Sequence, residues 1–522
     1  MINHPVPFTT MPQITLDWPH APYASPAVSQ SPTKPKLTRL AVLAGLTWVL
    51  GGAWAPVQAA LCPAQLAARL EADLSQAPLD SAQVGMVVQT QAANPQQRQT
   101  LYAKQPNHLF TPASNVKLLT TAAALHRLGP SFRLRTSVYG TANPGGLTTL
   151  RVVGRGDPTF GPEQMATLAN QLRGAGVTQI SRLVLDDSYF PGWATNPTWE
   201  WEDAQFYFAV PVNGLIFNQN AIPVQVAPTQ VGQPLSLTGL EALPAGPWPT
   251  VNHSLTVAAG AAANPVSLQR RGDSAQIFLT GHMAVDAQSA AYTLGVLNPA
   301  EQFGAALQTE LANHGIRTAQ VDIAHTPSFA LGSELAAVES PPLADLLVPA
   351  NRDSDNLYAE VLLKTLGVVG DEEAPADASR AGAEQVKAVL TELGINAKPL
   401  RIADGSGLSR HNLVSPQAFV DTLQAMAIHP QASVFRNSLA VAGERGTLRN
   451  RLVDTPLAGR VQGKSGALTG NVALSGYVQP PNYDPLVFSV VINHSNQHAR
   501  VLRAKIDEWL LLIAQLSPDC QE

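Results

Sequence analysis

Residues 458–470 read AGRVQGKSGALTG, and two incompatible chemistries can be drawn from them. Ala458, four further residues and Gly463-Lys464-Ser465 loosely match a nucleotide-binding P-loop, in which a glycine-rich turn opens a helix and holds phosphates at its N-terminus. Lys464-Ser465-Gly466 can instead be read alone, as one part of a serine acyl-transfer site. The flanking residues favour the second reading. A strict P-loop needs glycine where Ala458 stands, with a helix directly after the motif. The next residues are instead ALTGNVALSGYVQP (467–480) and PNYDPLVFSVVIN (481–493), where glycines, a turn and β-branched or aromatic runs predict strand, turn and strand. Lys464 is therefore expected on a strand, in a sheet rather than at a helix start.

The compartment points the same way. Residues 34–39, KPKLTR, precede the apolar run LAVLAGLTWVLGGAWA (40–55), then Pro56 and VQA (57–59). These are the basic n-region, apolar h-region and small-residue cleavage site of a secretory signal, placed at about 34–59. The apolar run is shorter than the roughly 20 residues that span a bilayer. No stable membrane anchor is expected, and the mature protein should begin near Ala60 as an exported, periplasmic protein that meets no ATP. Leu61 before Cys62 fits a lipoprotein signal poorly. The residues ahead of the signal are long for a leader, which leaves the translation start open.

Composition narrows the class further. A net charge of −5 argues against a nucleic-acid partner. Length and a hydrophobic fraction of 45% suit two or three packed domains. No Cys/His spacing suggests a metal, and no cofactor or nucleotide is implied. Of the two cysteines, Cys62 opens the mature chain and Cys520 nearly ends it. In an oxidising compartment they are either a disulfide joining the termini or two unpaired thiols.

Acyl transfer without a histidine base needs a serine with an amine nearby, and a lysine three residues on delivers one across a helical turn. With 30 serines and 9 lysines, chance supplies about half of one such match. Two occur. Ser31 to Lys34 contains Pro32 and falls in the leader. Ser114 to Lys117 lies in FTPASNVKLLTTAAALHRLG (110–129), whose apolar spacing predicts a helix ended by Gly129. Ser114 would then sit in the first turn, where the helix N-terminus favours negative charge. The only Ser-x-Asn, Ser354-Asp355-Asn356, precedes an expected amphipathic helix in NRDSDNLYAEVLLKTLG (351–367). As an alternative, Ser or Asp there is simply a helix cap.

One Ser-x-x-Lys, one Ser-Asp-Asn and one Lys-Ser-Gly, in that order, resemble the three boxes of the penicillin-reactive serine enzymes. Longer stretches carry the resemblance over most of the chain: GRGDPTF (154–160), LVLDDSYF (183–190), DGSGLSRHNLVSP (404–416) and VAGERGTLRNRL (441–452). The sequence is identified on these as similar to the class C low-molecular-mass penicillin-binding proteins, the D-alanyl-D-alanine carboxypeptidase/endopeptidases. Two departures stand out: Ser465 where threonine is more usual, and Thr469 where some relatives carry glutamine.

The resemblance implies an α/β (α+β) multi-domain fold. Its catalytic domain is transpeptidase/β-lactamase-like, an antiparallel sheet flanked by helices, with a large insertion that itself holds a smaller β-rich module. About 240 residues separate Ser114 from Ser354, far more than one compact domain needs there. Runs such as TTLRVVGRGD (148–157), SRLVLDD (181–187), AIPVQVAP (221–228) and SLTVAAG (254–260) read as strands, and PAEQFGAALQTELANHGI (299–316) reads as a helix. The expected division is extension and signal 1–59, catalytic domain 60–135 and 336–522, and insertion 136–335 with the nested module at about 220–290.

By resemblance, Ser114 attacks the carbonyl of the penultimate D-alanine, Lys117 is the best candidate base, Ser354 relays the proton, Asn356 holds substrate and Lys117, and Lys464 polarises the network. Ser465 receives the substrate carboxylate, and the Gly466-Ala467 segment faces substrate, with the N–H groups of Ser114 and Ala467 forming the oxyanion hole. Asp157 and Arg410 either bind a meso-diaminopimelate side chain or serve a Gly-Asp-Pro turn and a loop brace respectively. The expected partners are peptidoglycan peptides, with β-lactams as inhibitors. Two other functions stay open from sequence: a serine β-lactamase, and a non-enzymatic wall-binding protein with a relict site. The aromatic stretch WATNPTWEWEDAQFYF (193–208) either lines the groove or packs the insertion against the catalytic domain.

Overall fold

The computed structural model describes residues 60–519 apart from 76–78, 80, 141–146, 241–247, 262–263, 271–273, 327–331 and 371–374. The signal region at 34–59 and Cys520 therefore lie outside the described residues. Cys62 is disulfide-bonded.

The stretch containing Lys464 is a strand, Val461–Leu468, followed by a two-residue turn and the strands Asn471–Val478 and Leu486–Asn493. Gly470, at φ +77°, takes the left-handed position of that turn. All three belong to a six-stranded antiparallel sheet whose order, from one edge, is Ala440–Val441, Val461–Leu468, Asn471–Val478, Leu486–Asn493, Gln83–Thr90 and Thr100–Lys104. The first strand of the described chain thus pairs with its last one. Every residue of Asn471–Val478 and Leu486–Asn493 is buried, because both faces of the sheet are covered. On one face lie the helices Pro63–Leu74 and Ala499–Ile513, packed around the fully buried Trp509. On the other lies a helical layer containing Val116–Leu128, Asn356–Val368, Ala378–Glu392 and Pro416–Ile428.

The region between Ser114 and Ser354 forms a second sheet and a set of small ones. Leu147–Val153 and Gln179–Asp186 pair in parallel, and Arg135–Gly140 and Ser333–Glu339 extend the sheet in antiparallel fashion. The helices Pro162–Gly174 and Pro299–Asn313 share its core through Phe160, Leu168 and Phe303. Residues 221–295 build three small sheets around a separate core that includes Ile222, Val226, Ile277 and Leu279.

One local expectation is corrected. The Asn356–Val368 helix is not amphipathic: Leu357 through Gly367 are all buried, Glu360, Lys364 and Thr365 included. Its polar residues face partners in the interior rather than water, and those partners build the site.

Candidate active site

Ser114 sits in a 3-10 turn, Ala113–Asn115, that runs directly into the Val116–Leu128 helix, which ends at Gly129. The turn is held in an uncommon shape, with Ala113 at φ +49°. Two close approaches hold it. A Cβ on Gly407 would fall 1.9 Å from the Ala113 carbonyl oxygen, and one on Gly466 would fall 2.8 Å from that of Pro112, so both neighbours must be glycine. From below, the buried Asn115 Nδ2 donates to Ser475 Oγ at 2.8 Å, and Ser475 Oγ donates to Ser489 Oγ at 2.8 Å, pinning the turn to the central sheet.

One helical turn on, the fully buried Lys117 has three oxygen partners. Its Nζ donates to Ser114 Oγ at 3.0 Å, Asn356 Oδ1 at 2.7 Å and the Ser406 carbonyl at 2.6 Å. Burial brings the ammonium down to about 8, against the opposing pull of Asp404, Glu360 and Asp355. Asn356 is oriented in turn, because its Nδ2 donates to the Phe208 carbonyl at 2.8 Å and so aims Oδ1 at the lysine.

Ser354 approaches from the other side in a left-handed conformation, φ 66° and ψ 31°, at the end of a single π-turn, Pro349–Asp353. Strain of this kind costs about 1–3 kcal/mol and persists where surroundings impose it. Asp355 then caps the next helix by accepting from Tyr358 N at 3.3 Å. Lys464 Nζ donates to Ser354 Oγ at 2.8 Å and to the Ser465 carbonyl at 2.7 Å. Burial lowers this second ammonium well below the ordinary lysine range, and the charge of Lys117 lowers it further. Next to it Ser465 Oγ donates to Thr447 Oγ1 at 2.8 Å on the exposed side. The edge strand Ala440–Val441 covers only Gln462 and Gly463, so from Lys464 onward the outer edge of the strand has no strand partner among the described residues.

Ser114, Lys117 and Asn356 thus form one hydrogen-bonded set and Ser354 and Lys464 a second, near enough for the charge of Lys117 to act on Lys464, and Ser465, Gly466 and Ala467 continue the Lys464 strand. Asp157 and Arg410 lie outside both sets. Asp157 is buried, its Oδ1 accepting from Thr159 N at 2.8 Å and Thr159 Oγ1 at 2.7 Å, and burial raises its carboxyl. Its charge also adds, after burial and Asp355, to what raises the Tyr358 phenol. Arg410 donates from Nε to Glu200 Oε1 at 2.5 Å and from Nη1 to the Thr469 carbonyl at 3.0 Å.

Several residues at the site carried no assigned role in the sequence. Thr447 lies in the VAGERGTLRNRL stretch, which had no chemical reading, and Asp404 and Ser406 lie in DGSGLSRHNLVSP, which had one only through Arg410. Phe208 contributes only a carbonyl, which leaves no trace in sequence. The 193–208 stretch is stapled to these loops: Asn196 Nδ2 donates to the Ala403 carbonyl at 2.8 Å and Trp199 Nε1 to Asp404 Oδ2 at 2.9 Å. Trp193, Trp201 and Tyr207 remain 67%, 70% and 52% exposed, so packing accounts for only part of the aromatic cluster.

A half-buried hydroxyl beside an amine of lowered basicity, with a second serine and lysine opposite, is equipped for acyl transfer. No group of three His, Cys, Asp or Glu side chains able to hold a metal occurs among the described residues. The D-Ala-D-Ala carboxypeptidase 3 (S13) family matches residues 66–512. A D-alanyl-D-alanine carboxypeptidase of Actinomadura sp. (strain R39) is 33% identical over 443 residues, 81% of this chain and 80% of its own. The D-alanyl-D-alanine carboxypeptidase DacB of Haemophilus influenzae is 27% identical over 429 residues, 81% of this chain and 87% of its own. The crystal structure of penicillin binding protein 4 (dacB) from Haemophilus influenzae superposes with a TM-score of 0.74 at 24% identity, covering 85% of this chain and 98% of that one, and so shares the fold. With a match that spans most of its length, the chain belongs to the D-Ala-D-Ala carboxypeptidase 3 (S13) family.

Proposed function

We propose that this serine D-Ala-D-Ala carboxypeptidase/endopeptidase acts on peptidoglycan stem peptides through an acyl-enzyme on Ser114. The observation that carries the assignment is the placement of Lys117 Nζ 3.0 Å from Ser114 Oγ. A neutral lysine amine has two N–H groups and one lone pair. Asn356 Oδ1 and the Ser406 carbonyl only accept, so they take the two N–H groups and leave the lone pair for the Ser114 hydroxyl. In the acylation step the Ser114 Oγ–carbonyl bond forms, the bond to the terminal D-alanine nitrogen breaks, and the serine proton passes to Lys117. Ser354, held by Lys464, returns a proton to the leaving nitrogen.

The uncovered edge of Val461–Leu468 suits an extended peptide laid along it, and Ser465 with Thr447 suits its terminal carboxylate. The N–H groups of Ser114 and Ala467 then form the oxyanion hole, whose loss typically costs about 10²–10³ in rate. Water completes hydrolysis; a β-lactam acylates the same serine and stays bound because its leaving group is tethered. Asp157 and Arg410 are assigned to the side chain at the third stem position, Asp157 to an ammonium and Arg410 to a carboxylate. The signal at about 34–59 exports the enzyme to the periplasm, and no described helix is long and apolar enough to cross a membrane. Residues 60–135 and 336–522 form the catalytic domain, and 136–335 form the insertion.

The test is release of D-alanine from a synthetic pentapeptide ending in D-Ala-D-Ala, measured for the wild type and for Ser114→Ala. Release by the wild type alone supports the assignment. Equal release by both proteins removes Ser114 from the chemistry, and no release by either removes the carboxypeptidase reading.

A further inference from the structure

Among the polar groups that the acyl-enzyme mechanism does not use, one touches its machinery from below. Glu360 lies in the Asn356–Val368 helix, four residues beyond Asn356 and so on the same helical face. It is 2% exposed, and its Oε1 accepts from two successive backbone groups, Gly405 N at 3.0 Å and Ser406 N at 2.8 Å. The carbonyl of that same Ser406 accepts from Lys117 Nζ at 2.6 Å. One helix therefore reaches the lysine twice, directly through Asn356 and indirectly through Ser406, whose N–H Glu360 holds.

The rest of the loop is organised around a second carboxylate. Asp404 Oδ1 accepts from Gly407 N and Asn412 Nδ2, each at 2.7 Å, and Oδ2 accepts from Ser409 N at 2.6 Å and Trp199 Nε1 at 2.9 Å. Asp404 shapes the loop as a whole, but neither of its oxygens takes the N–H of Gly405 or Ser406. Those go to Glu360, while the Ser406 carbonyl shares its peptide plane with Gly407 N, which Asp404 holds, so Glu360 fixes Ser406 from the N–H side and Asp404 from the carbonyl side.

We infer that Glu360 is a positioning residue for the acylation step: it anchors the Gly405–Ser406 backbone so that the Ser406 carbonyl aims the Lys117 lone pair at Ser114, and its charge tunes that amine. The inference rests on the proposed Ser114 acyl-enzyme. The charges acting on Lys117 are Asp404, Glu360 and Asp355, which favour the ammonium, with Lys464 repelling it from the opposite side. Those acting on Glu360 are Asp404, which raises it, and the cations Lys117 and Lys364. Burial, and then the charge of Asp404, raise the Glu360 carboxyl above the ordinary glutamate range.

Glu360→Gln keeps the size and one acceptor oxygen but removes the charge. Its second-order acylation rate with benzylpenicillin is expected to fall about 10-fold at the plateau, within the range assigned to aligned acid–base groups. The acid limb of the pH profile is expected to move about half a unit lower, since a lost carboxylate makes the ammonium easier to deprotonate. Glu360→Asp keeps the charge and shortens the reach, so its rate should fall with the limb close to that of the wild type. Unfolding midpoints of both variants identify a variant that does not fold, and either one that folds decides the matter. A lowered rate with an unmoved limb in Glu360→Gln, or wild-type rate and limb in either variant, overturns the inference while leaving the acyl-enzyme intact. No penicilloyl adduct on the wild type, or an adduct on Ser114→Ala, overturns both.

Discussion

Lys117 is the residue on which the chemistry turns, because it must be neutral to take a proton and is surrounded by groups that also suit its charged form. Its ammonium sits at about 8, lowered by burial more than three nearby carboxylates raise it. Below that value the neutral fraction falls about tenfold per pH unit. Acylation by benzylpenicillin should therefore rise through neutrality and level off above about pH 8, and Lys117→Ala should lower it by about 10²–10⁴, the usual worth of a general base. A rate flat from about pH 6 to 9, or a Lys117→Ala variant of near wild-type rate, contradicts the assignment. Lys117 was legible in the sequence because its relation to Ser114 is local, three residues along one turn. The Ser406 carbonyl and Glu360 were not, since they reach the lysine through backbone atoms 289 residues away and a glutamate that spacing alone places on a solvated helix face.

At the scale of elements, the Ser114 turn is shaped by what presses on it. Gly407, at φ +83°, sits where any side chain would meet the Ala113 carbonyl at 1.9 Å. Gly407→Ala should cost on the order of 2–3 kcal/mol, from the positive φ together with displacement of the turn. It should also slow acylation, which thermal unfolding and penicillin kinetics check separately. An unchanged midpoint and rate would show that the turn does not depend on this contact. The strand at 461–468 and its successors were readable from glycines, a turn and β-branched or aromatic runs, and the runs at 148–157, 181–187, 221–228 and 254–260 each contribute to a strand. The Asn356–Val368 helix was misread as amphipathic because Glu360, Lys364 and Thr365 look like a wet face in sequence. In the fold each is buried, Lys364 Nζ donating to the Trp193 carbonyl at 2.7 Å.

Across the whole molecule, the described ends meet. Leu61 N donates to the Gln515 carbonyl at 2.8 Å, and Ser517 N donates to the Leu61 carbonyl at 3.1 Å. Trp509 Nε1 donates to Asp73 Oδ2 at 2.6 Å, so the first and last helices lock together on one face of the catalytic sheet. With Cys62 disulfide-bonded next to this junction, a covalent tie reinforces it. Cys62→Ser should lower stability by about 2–5 kcal/mol, the usual loss for a native disulfide. Because the junction lies behind the sheet from Ser114, the acylation rate at 25 °C should stay as it was; an unmoved unfolding midpoint would mean that the ends hold without the bridge. The 193–208 stretch reaches the 403–404 loop through the side chains of Asn196 and Trp199 and reaches Asn356 through the Phe208 carbonyl, and only the last of these contacts leaves no trace in residue identities.

The most direct measurement is the intact mass of the mature protein after incubation with benzylpenicillin, together with peptide mapping, for the wild type and Ser114→Ala. One slowly released penicilloyl group on the peptide containing Ser114, present on the wild type alone, is the predicted result. An adduct on another serine, or one that persists in Ser114→Ala, would contradict the account.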